Sequence, residues 1–283
     1  MTDRLINKVA IITGGGSHDG VLGTGQATAI CMAREGAKVL VADVVSENAD
    51  RTVAAIKADS GGEASTFVGD ATNADDSEAM IATAVERYGG LHILMNNLGY
   101  GGRGSRGTAG PGVTGVDEDT WELGMNLNLK SAMLATKYAI PAMAAAGGGS
   151  IINVSSVDGI AGAMSYNVPY GVSKGALHML TKTTAAFHGR QGIRANCIAP
   201  GHLHAAFTEQ LSPELRERRH RVTPLGTEGT AWDIGWAAVF LASDQARWIS
   251  GVVLPVDGGL YASQPLLAYG HIEGKSPFEA DTA

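Results

Sequence analysis

Tyr170 and Lys174 stand four residues apart in the run Tyr170-Gly171-Val172-Ser173-Lys174, and the serine pair Ser155-Ser156 lies just upstream. On a helix, residues four apart share one face, so the lysine ammonium is expected beside the phenol. A neighbouring cation stabilises the phenolate and lowers the phenol from its usual value of about 10. That makes the tyrosine a usable proton acceptor near neutral pH. A serine hydroxyl delivered from a preceding strand can hold the oxygen of a reacting group. The set predicts proton transfer at a substrate oxygen.

Such groups need a scaffold, and the N-terminal part of the chain supplies its pattern. Residues 8–12, Lys-Val-Ala-Ile-Ile, form a short apolar run that reads as a buried parallel strand. The glycine-rich Thr13-Gly14-Gly15-Gly16-Ser17 and Gly23-Thr24-Gly25 follow, and then a helix pattern that stops at Gly36. Glycines between a strand and a helix let the backbone approach a pyrophosphate, whose charge meets the helix N-terminus. A second strand, 38–42, ends at Asp43, eighteen residues past Gly25. That is near the spacing at which a carboxylate accepts from both hydroxyls of an adenosine ribose. It would repel a 2′-phosphate, and Val44-Val45-Ser46 brings no cation directly after it. The expected cofactor is NAD rather than NADP.

Strand patterns fall near 8–12, 38–42, 64–68, 91–95, 150–154, 193–198 and 252–256, and helix patterns near 23–35, 46–59, 73–87, 118–146, 168–189 and 230–242. Alternation at this spacing implies right-handed βαβ units around a parallel sheet. The expected fold is α/β: one Rossmann-type, doubly wound domain over 1–263, with about seven parallel strands flanked by helices. Residues 264–283 read as a C-terminal extension, either an arm on another subunit or a loose tail.

With these motifs in order, the chain resembles the short-chain dehydrogenase/reductase family over roughly residues 5–262. The resemblance is carried by Thr13-Gly14, Asp70, Asn96-Asn97-Leu98-Gly99, Asn128, Ser156, Tyr170 with Lys174, Pro200-Gly201 and Val256-Asp257-Gly258-Gly259. It implies that Tyr170 is the general acid/base and that Lys174 tunes it and binds the nicotinamide ribose. It further implies that Ser156, which fits the family spacing better than Ser155, orients the substrate oxygen, and that Asn128 holds a water in a proton relay. The implied cofactor contacts are Gly14, Gly16, Ser17, Gly23, Thr24, Asp43, Asp70 and Ala71 at the adenine, Asn97, Gly99, Tyr170, Lys174, Pro200 and Gly201. Asn96 and Gly99 would shape the cofactor floor. The implied reaction is hydride transfer between NAD(H) and a secondary alcohol or ketone. Alternatives are an NADPH-dependent 3-oxoacyl (carrier-protein) reductase and a non-catalytic NAD-sensing protein. The family's enoyl reductases space tyrosine and lysine more widely and are set aside.

Two departures stand out. His18-Asp19-Gly20-Val21-Leu22 is inserted into the glycine loop, where His18 and Asp19 either line the cofactor or form a solvent-facing bulge. Leu98 replaces the family's usual alanine and either narrows the site or fills a cavity. Three loops must build the substrate pocket: 100–116, with Tyr100, Arg103 and Arg106; 158–169, with Asp158, Met164 and Tyr166; and the segment after Gly201, with His202, His204 and Phe207. The mixture points to an apolar or ring-bearing substrate. His202-Leu203-His204 has no acidic or cysteine partner at metal-ligand spacing, so no metal is expected.

A chain of 283 residues with 45% hydrophobic and 17% charged residues has the material for a substantial core. Its net charge of −7 gives no general attraction to nucleic acid or anionic lipid, and the cluster 216–221 reads as a solvated helix face. Two cysteines, Cys31 and Cys197, fall inside predicted elements, which fits a reduced, cytoplasmic protein without a disulfide framework. No secretory segment is read at the N-terminus and no apolar run reaches membrane-spanning length. Apolar residues over helices 118–146 and 168–189, among them Met125, Met133, Leu134, Ala176, Leu177 and Leu180, predict a homo-oligomer, a tetramer or dimer.

Overall fold

The structure of the chain, a computed structural model, describes residues 3–17, 22–101, 112–162 and 167–274. The first half runs β1 (Val9–Thr13), α1 (Thr24–Arg34), β2 (Lys38–Asp43), α2 (Ser46–Ser60), β3 (Ala64–Val68), α3 (Ala74–Tyr88) and β4 (Ile93–Asn96). Next come α4 (Glu118–Met125), a π-helical turn (Asn126–Lys130), α5 (Ser131–Ala145), β5 (Gly149–Val154), α6 (Val168–His188) and β6 (Ile193–Pro200). The remainder is β7 (Leu203–His204), α7 (Pro213–Val222), β8 (Gly229–Thr230), α8 (Ala231–Ala242), β9 (Val253–Val256) and α9 (Pro265–Glu273).

Seven of these strands form one parallel sheet in the order β3-β2-β1-β4-β5-β6-β9. Both faces of its centre are covered, which is why β1 is apolar from Val9 to Ile12. Strand periodicity sends Ala10 and Ile12 of β1 into a core with α1, α2 and α8, and Val9 and Ile11 into a second core with α3 and α5. The chain order reverses between β1 and β4. The crevice beyond their carboxyl ends is where open α/β sheets bind ligands.

The expected strands and helices all form. The helix expected over 118–146 runs continuously through a π turn at 126–130, a departure from regular helix that often marks a functional position. The cluster 216–221 does lie on a helix, α7, none of whose residues is buried. It is nevertheless tethered, because Arg216 pairs with Glu228 and Arg219 Nη2 donates to the Leu203 carbonyl at 3.4 Å. The pairing of β7 with β8 and the helix α9 were not anticipated from sequence. Of the apolar residues read as subunit contacts, Leu134 and Leu177 are buried within the chain, whereas Met133 is 40% exposed. Both cysteines are buried and free, and burial pushes each thiol up to about 12. Among the described residues no helix is long and apolar enough to cross a membrane.

Candidate active site

The glycine loop is pinned to the ends of β1 and β4. Asn97 Nδ2 donates to the Gly14 carbonyl at 2.9 Å, Thr24 Oγ1 donates to Asn97 Oδ1 at 2.8 Å, and Thr52 Oγ1 donates to the Gly15 carbonyl at 2.9 Å. Gly14 has φ +58°, a conformation that favours glycine. A β-carbon at Gly25 would collide with the Gly14 carbonyl, so α1 begins directly against the loop. Leu98 lies over this turn, its Cδ1 3.4 Å from where a Gly14 β-carbon would stand. Gly23 and Thr24 lead into α1. His18 and Asp19 lie outside the described residues, as do Arg103, Arg106, Met164 and Tyr166.

Asp43 ends β2 beside this loop. Its Oδ2 accepts from the Gly16 amide at 3.1 Å and its Oδ1 from the Val45 amide at 3.0 Å. A β-carbon at Gly16 would strike that carboxylate. Ser17 is held by its amide on the Asn48 carbonyl at 2.9 Å. Asp70, exposed beyond β3, accepts from the amide and hydroxyl of Thr72, both at 2.8 Å, with Ala71 between them. Asn96 stands at the end of β4. It is buried, and its Nδ2 donates to Asn153 Oδ1 at 2.8 Å and Thr136 Oγ1 at 3.1 Å, joining β4 to β5 and α5.

Asn167 caps α6 by accepting the Tyr170 amide at 3.0 Å, and Pro169 occupies the first turn. Tyr170 is thereby fixed in the first turn of the helix, with Lys174 one turn on. Ser156, just past β5, hydrogen-bonds the Tyr170 phenol and accepts the Asp158 amide at 3.1 Å. Ser155 points elsewhere, to the Lys174 carbonyl at 2.8 Å and His178 Nε2 at 2.7 Å. The serine pair is thus divided, with Ser156 at the phenol and Ser155 at Lys174 and His178.

The simple expectation of a lowered phenol pKa is not met. Burial pushes Tyr170 up to about 12, against the opposing hydrogen bond from Ser156, and the Asp158 carboxylate adds to the rise. Lys174 lies deep in the site, its Nζ 5.8 Å from the Tyr170 ring centroid. Burial lowers it to about 8. Its ammonium donates to the Val154 carbonyl at 2.8 Å and the Leu98 carbonyl at 3.4 Å. A β-carbon on Gly99 would come within 3.3 Å of that nitrogen, so Gly99 leaves the lysine its space.

Asn128, in the π turn, grips Tyr100 at both main-chain groups: its Oδ1 accepts the Tyr100 amide at 2.6 Å and its Nδ2 donates to the Tyr100 carbonyl at 3.1 Å. The same Nδ2 donates to Ser173 Oγ at 2.9 Å, and Ser173 donates to the Tyr170 carbonyl at 2.8 Å. Sequence reasoning passed over Ser173, which carries no signal beyond its place before Lys174. Pro200 ends β6, and the Gly201 amide donates to the Val256 carbonyl at 3.0 Å. His202 is driven down to about 4 by burial and by Arg219, and its Nδ1 lies 3.4 Å from the Arg219 carbonyl. Phe207 stacks on Tyr170 with ring centroids 5.8 Å apart. Of the expected substrate-pocket residues described, Phe207 and Asp158 approach the phenol and Tyr100 adjoins Asn128. His202 is turned to α7.

Residues 20–261 match the model of a protein family described as enoyl-(acyl carrier protein) reductase. The fold also superposes on a short-chain dehydrogenase/reductase from Burkholderia xenovorans with a TM-score of 0.85 at 33% identity, covering 92% of this chain and 99% of that one. The chain belongs to the short-chain dehydrogenase/reductase family. A curated relative, 2,5-dichloro-2,5-cyclohexadiene-1,4-diol dehydrogenase of Sphingobium indicum, is 38% identical over 92% of this chain and 98% of its own length. A solved 7α-hydroxysteroid dehydrogenase, complexed with NADH and 7-oxo glycochenodeoxycholic acid, matches with a TM-score of 0.81 at 32% identity over 91% of this chain and 96% of that one. As a short-chain dehydrogenase/reductase, the chain is an oxidoreductase on a nicotinamide-dinucleotide-binding fold. The glycine loop between β1 and α1, where Gly16 and Gly25 have no room for a side chain against Asp43 and the Gly14 carbonyl, fits that cofactor.

Proposed function

We propose that this short-chain dehydrogenase/reductase interconverts an apolar, ring-bearing secondary alcohol and its ketone with NAD(H). What carries the reading is the meeting of Ser156, Tyr170 and Lys174 beside the glycine loop and Asp43. The ring substrates named for the Sphingobium relative and the hydroxysteroid enzyme support the substrate class. Gly14, Gly16, Ser17, Gly23 and Thr24 hold the pyrophosphate, Asp43 the adenosine ribose, Asp70 and Ala71 the adenine. Asn97, Gly99, Pro200 and Gly201 flank the nicotinamide end. The dinucleotide, when bound, supplies the hydride acceptor or donor.

Tyr170 takes the alcohol proton in oxidation and returns it to the oxygen in reduction. Ser156 Oγ accepts the Asp158 amide and lies at the Tyr170 phenol, so a substrate oxygen between the two hydroxyls would be held by Ser156 and oriented toward Tyr170. Two of the three Lys174 ammonium protons meet carbonyls, and the third is available to the nicotinamide ribose. Asn128 has its side chain committed to Tyr100 and Ser173, so a relay water there uses its main-chain carbonyl. A relative 34% identical over 91% of this chain, the 3-oxoacyl-[acyl-carrier-protein] reductase of Thermotoga maritima, supports a second reading, an NADPH-dependent carrier-linked 3-oxoacyl reductase. Asp43 weighs against it. The test is Tyr170→Phe: turnover of an alcohol panel should fall about 10²–10⁴-fold while NAD binding stays within a few-fold. Near-normal turnover would remove Tyr170 from its role.

We also infer a homo-oligomer, a tetramer or dimer. A surface groove of about 740 Å³ runs along α4, the π turn and α5, lined by Trp121, Leu123, Met125, Leu129 and Met133. An apolar surface of this kind supports a subunit contact.

A further inference from the structure

Phe207 belongs to a single 3-10 turn, Ala206–Thr208, that follows β7 and covers the Tyr170 ring. The two rings lie 29° from parallel. At its tip the Phe207 ring occupies the space in front of Gly101. A β-carbon there would collide with Cζ and stand 2.9 and 3.0 Å from Cε1 and Cε2. Gly101 is not among the glycines at positive φ, so close approach, not backbone conformation, is what calls for glycine at this position. The turn is fixed by Thr208 Oγ1, which donates to the Leu203 carbonyl at 2.7 Å. Ala206 adds a bond from its amide to the Leu22 carbonyl, at the end of the glycine loop, at 3.2 Å. Even so, Phe207 is 42% exposed. The backbone holds a large apolar ring at the mouth of the crevice, with surface left for a ligand.

We propose that Phe207 is a specificity-determining residue that selects alcohols bearing a ring on the carbinol carbon, and that Gly101 is the residue that admits it. The inference rests on the reading of Tyr170 as proton acceptor. A carbinol oxygen hydrogen-bonded to the Tyr170 hydroxyl carries its substituent against the ring that covers the phenol. An aromatic substituent gains a stacking contact there that favours it by about 2- to 12-fold beyond the area it buries. A flexible chain of equal carbon number gains no such contact and loses rotational freedom.

The experiment compares kcat/KM for 1-phenylethanol and 2-octanol, with NAD, in the wild type and in Phe207→Leu, Phe207→Ala and Gly101→Ala. Phe207→Leu keeps apolar bulk and should lower the 1-phenylethanol to 2-octanol ratio about 2- to 12-fold. Phe207→Ala should lower it at least as far, and Gly101→Ala should reproduce the shift by displacing the ring. NAD dissociation constants, read by fluorescence, should stay within a few-fold. An unchanged ratio in both Phe207 variants overturns the proposal. If the wild type oxidises neither alcohol, that counts against the function proposed above. Calorimetric binding of acetophenone and 2-octanone to the same proteins with NADH then decides the role of Phe207. Selective weakening of acetophenone supports it; equal weakening, or no binding of either ketone, overturns it.

Discussion

In the proposed function two side chains set the chemistry and the cofactor, and each is governed by its immediate surroundings. At Tyr170 burial outweighs the hydrogen bond from Ser156, and two of the three Lys174 donors are turned to carbonyls. Asp43 is the other. It is braced by two main-chain amides, from Gly16 and Val45, which hold its carboxylate at the end of β2 beside the loop. Hydrogen bonds to a charged group contribute about 1.5–3 kcal/mol each. Asp43→Ala should therefore weaken NAD by roughly tenfold or more and bring NADP closer to parity. Parallel thermal-shift titrations with the two cofactors check this. Preference for NADP in the wild type would instead bring the 3-oxoacyl reductase reading forward.

The π turn between α4 and α5 joins elements that are distant in the chain. Asn128 links it to the stretch after β4 through Tyr100 and to α6 through Ser173. Asn128→Ala would strand the Ser173 hydroxyl and both Tyr100 main-chain groups without their present partner. Leaving such a buried group unpaired costs about 1–3 kcal/mol. The expected outcome is a loss of stability of that order in urea unfolding, with kcat reduced more than NAD affinity. Stability and kcat both at wild-type levels would show that the π turn does not depend on this side chain.

For the molecule as a whole, the open question is what covers the groove on α4 and α5. Trp121 and Met133 are 39% and 40% exposed, and on α5 Ala135, Ala139 and Met143 pack inward. If this face joins subunits, Met133→Glu places a charge in the contact and should shift the mass in sedimentation to a smaller species. An unchanged mass would place the contact elsewhere or leave the chain monomeric. The acidic balance of the chain plays no part in this test, because the groove is mainly apolar.

The order of elements, the glycine loop, Asp43 at the end of β2 and the Tyr170–Lys174 spacing were legible in the linear chain. All of them depend on local periodicity or on short fixed separations, which the backbone translates directly into helix faces and strand ends. Other features arise only where distant segments pack. The π turn at Asn128 answers to Tyr100, twenty-eight positions away. The upward push on Tyr170 comes from surroundings assembled around it, and the stack with Phe207 needs Gly101 opposite. The bonds by which Asn96 joins β4 to β5 and α5 are likewise not written in the linear chain. Desolvation and close approach depend on which residues meet in space, and for residues far apart in the chain only the folded packing determines that.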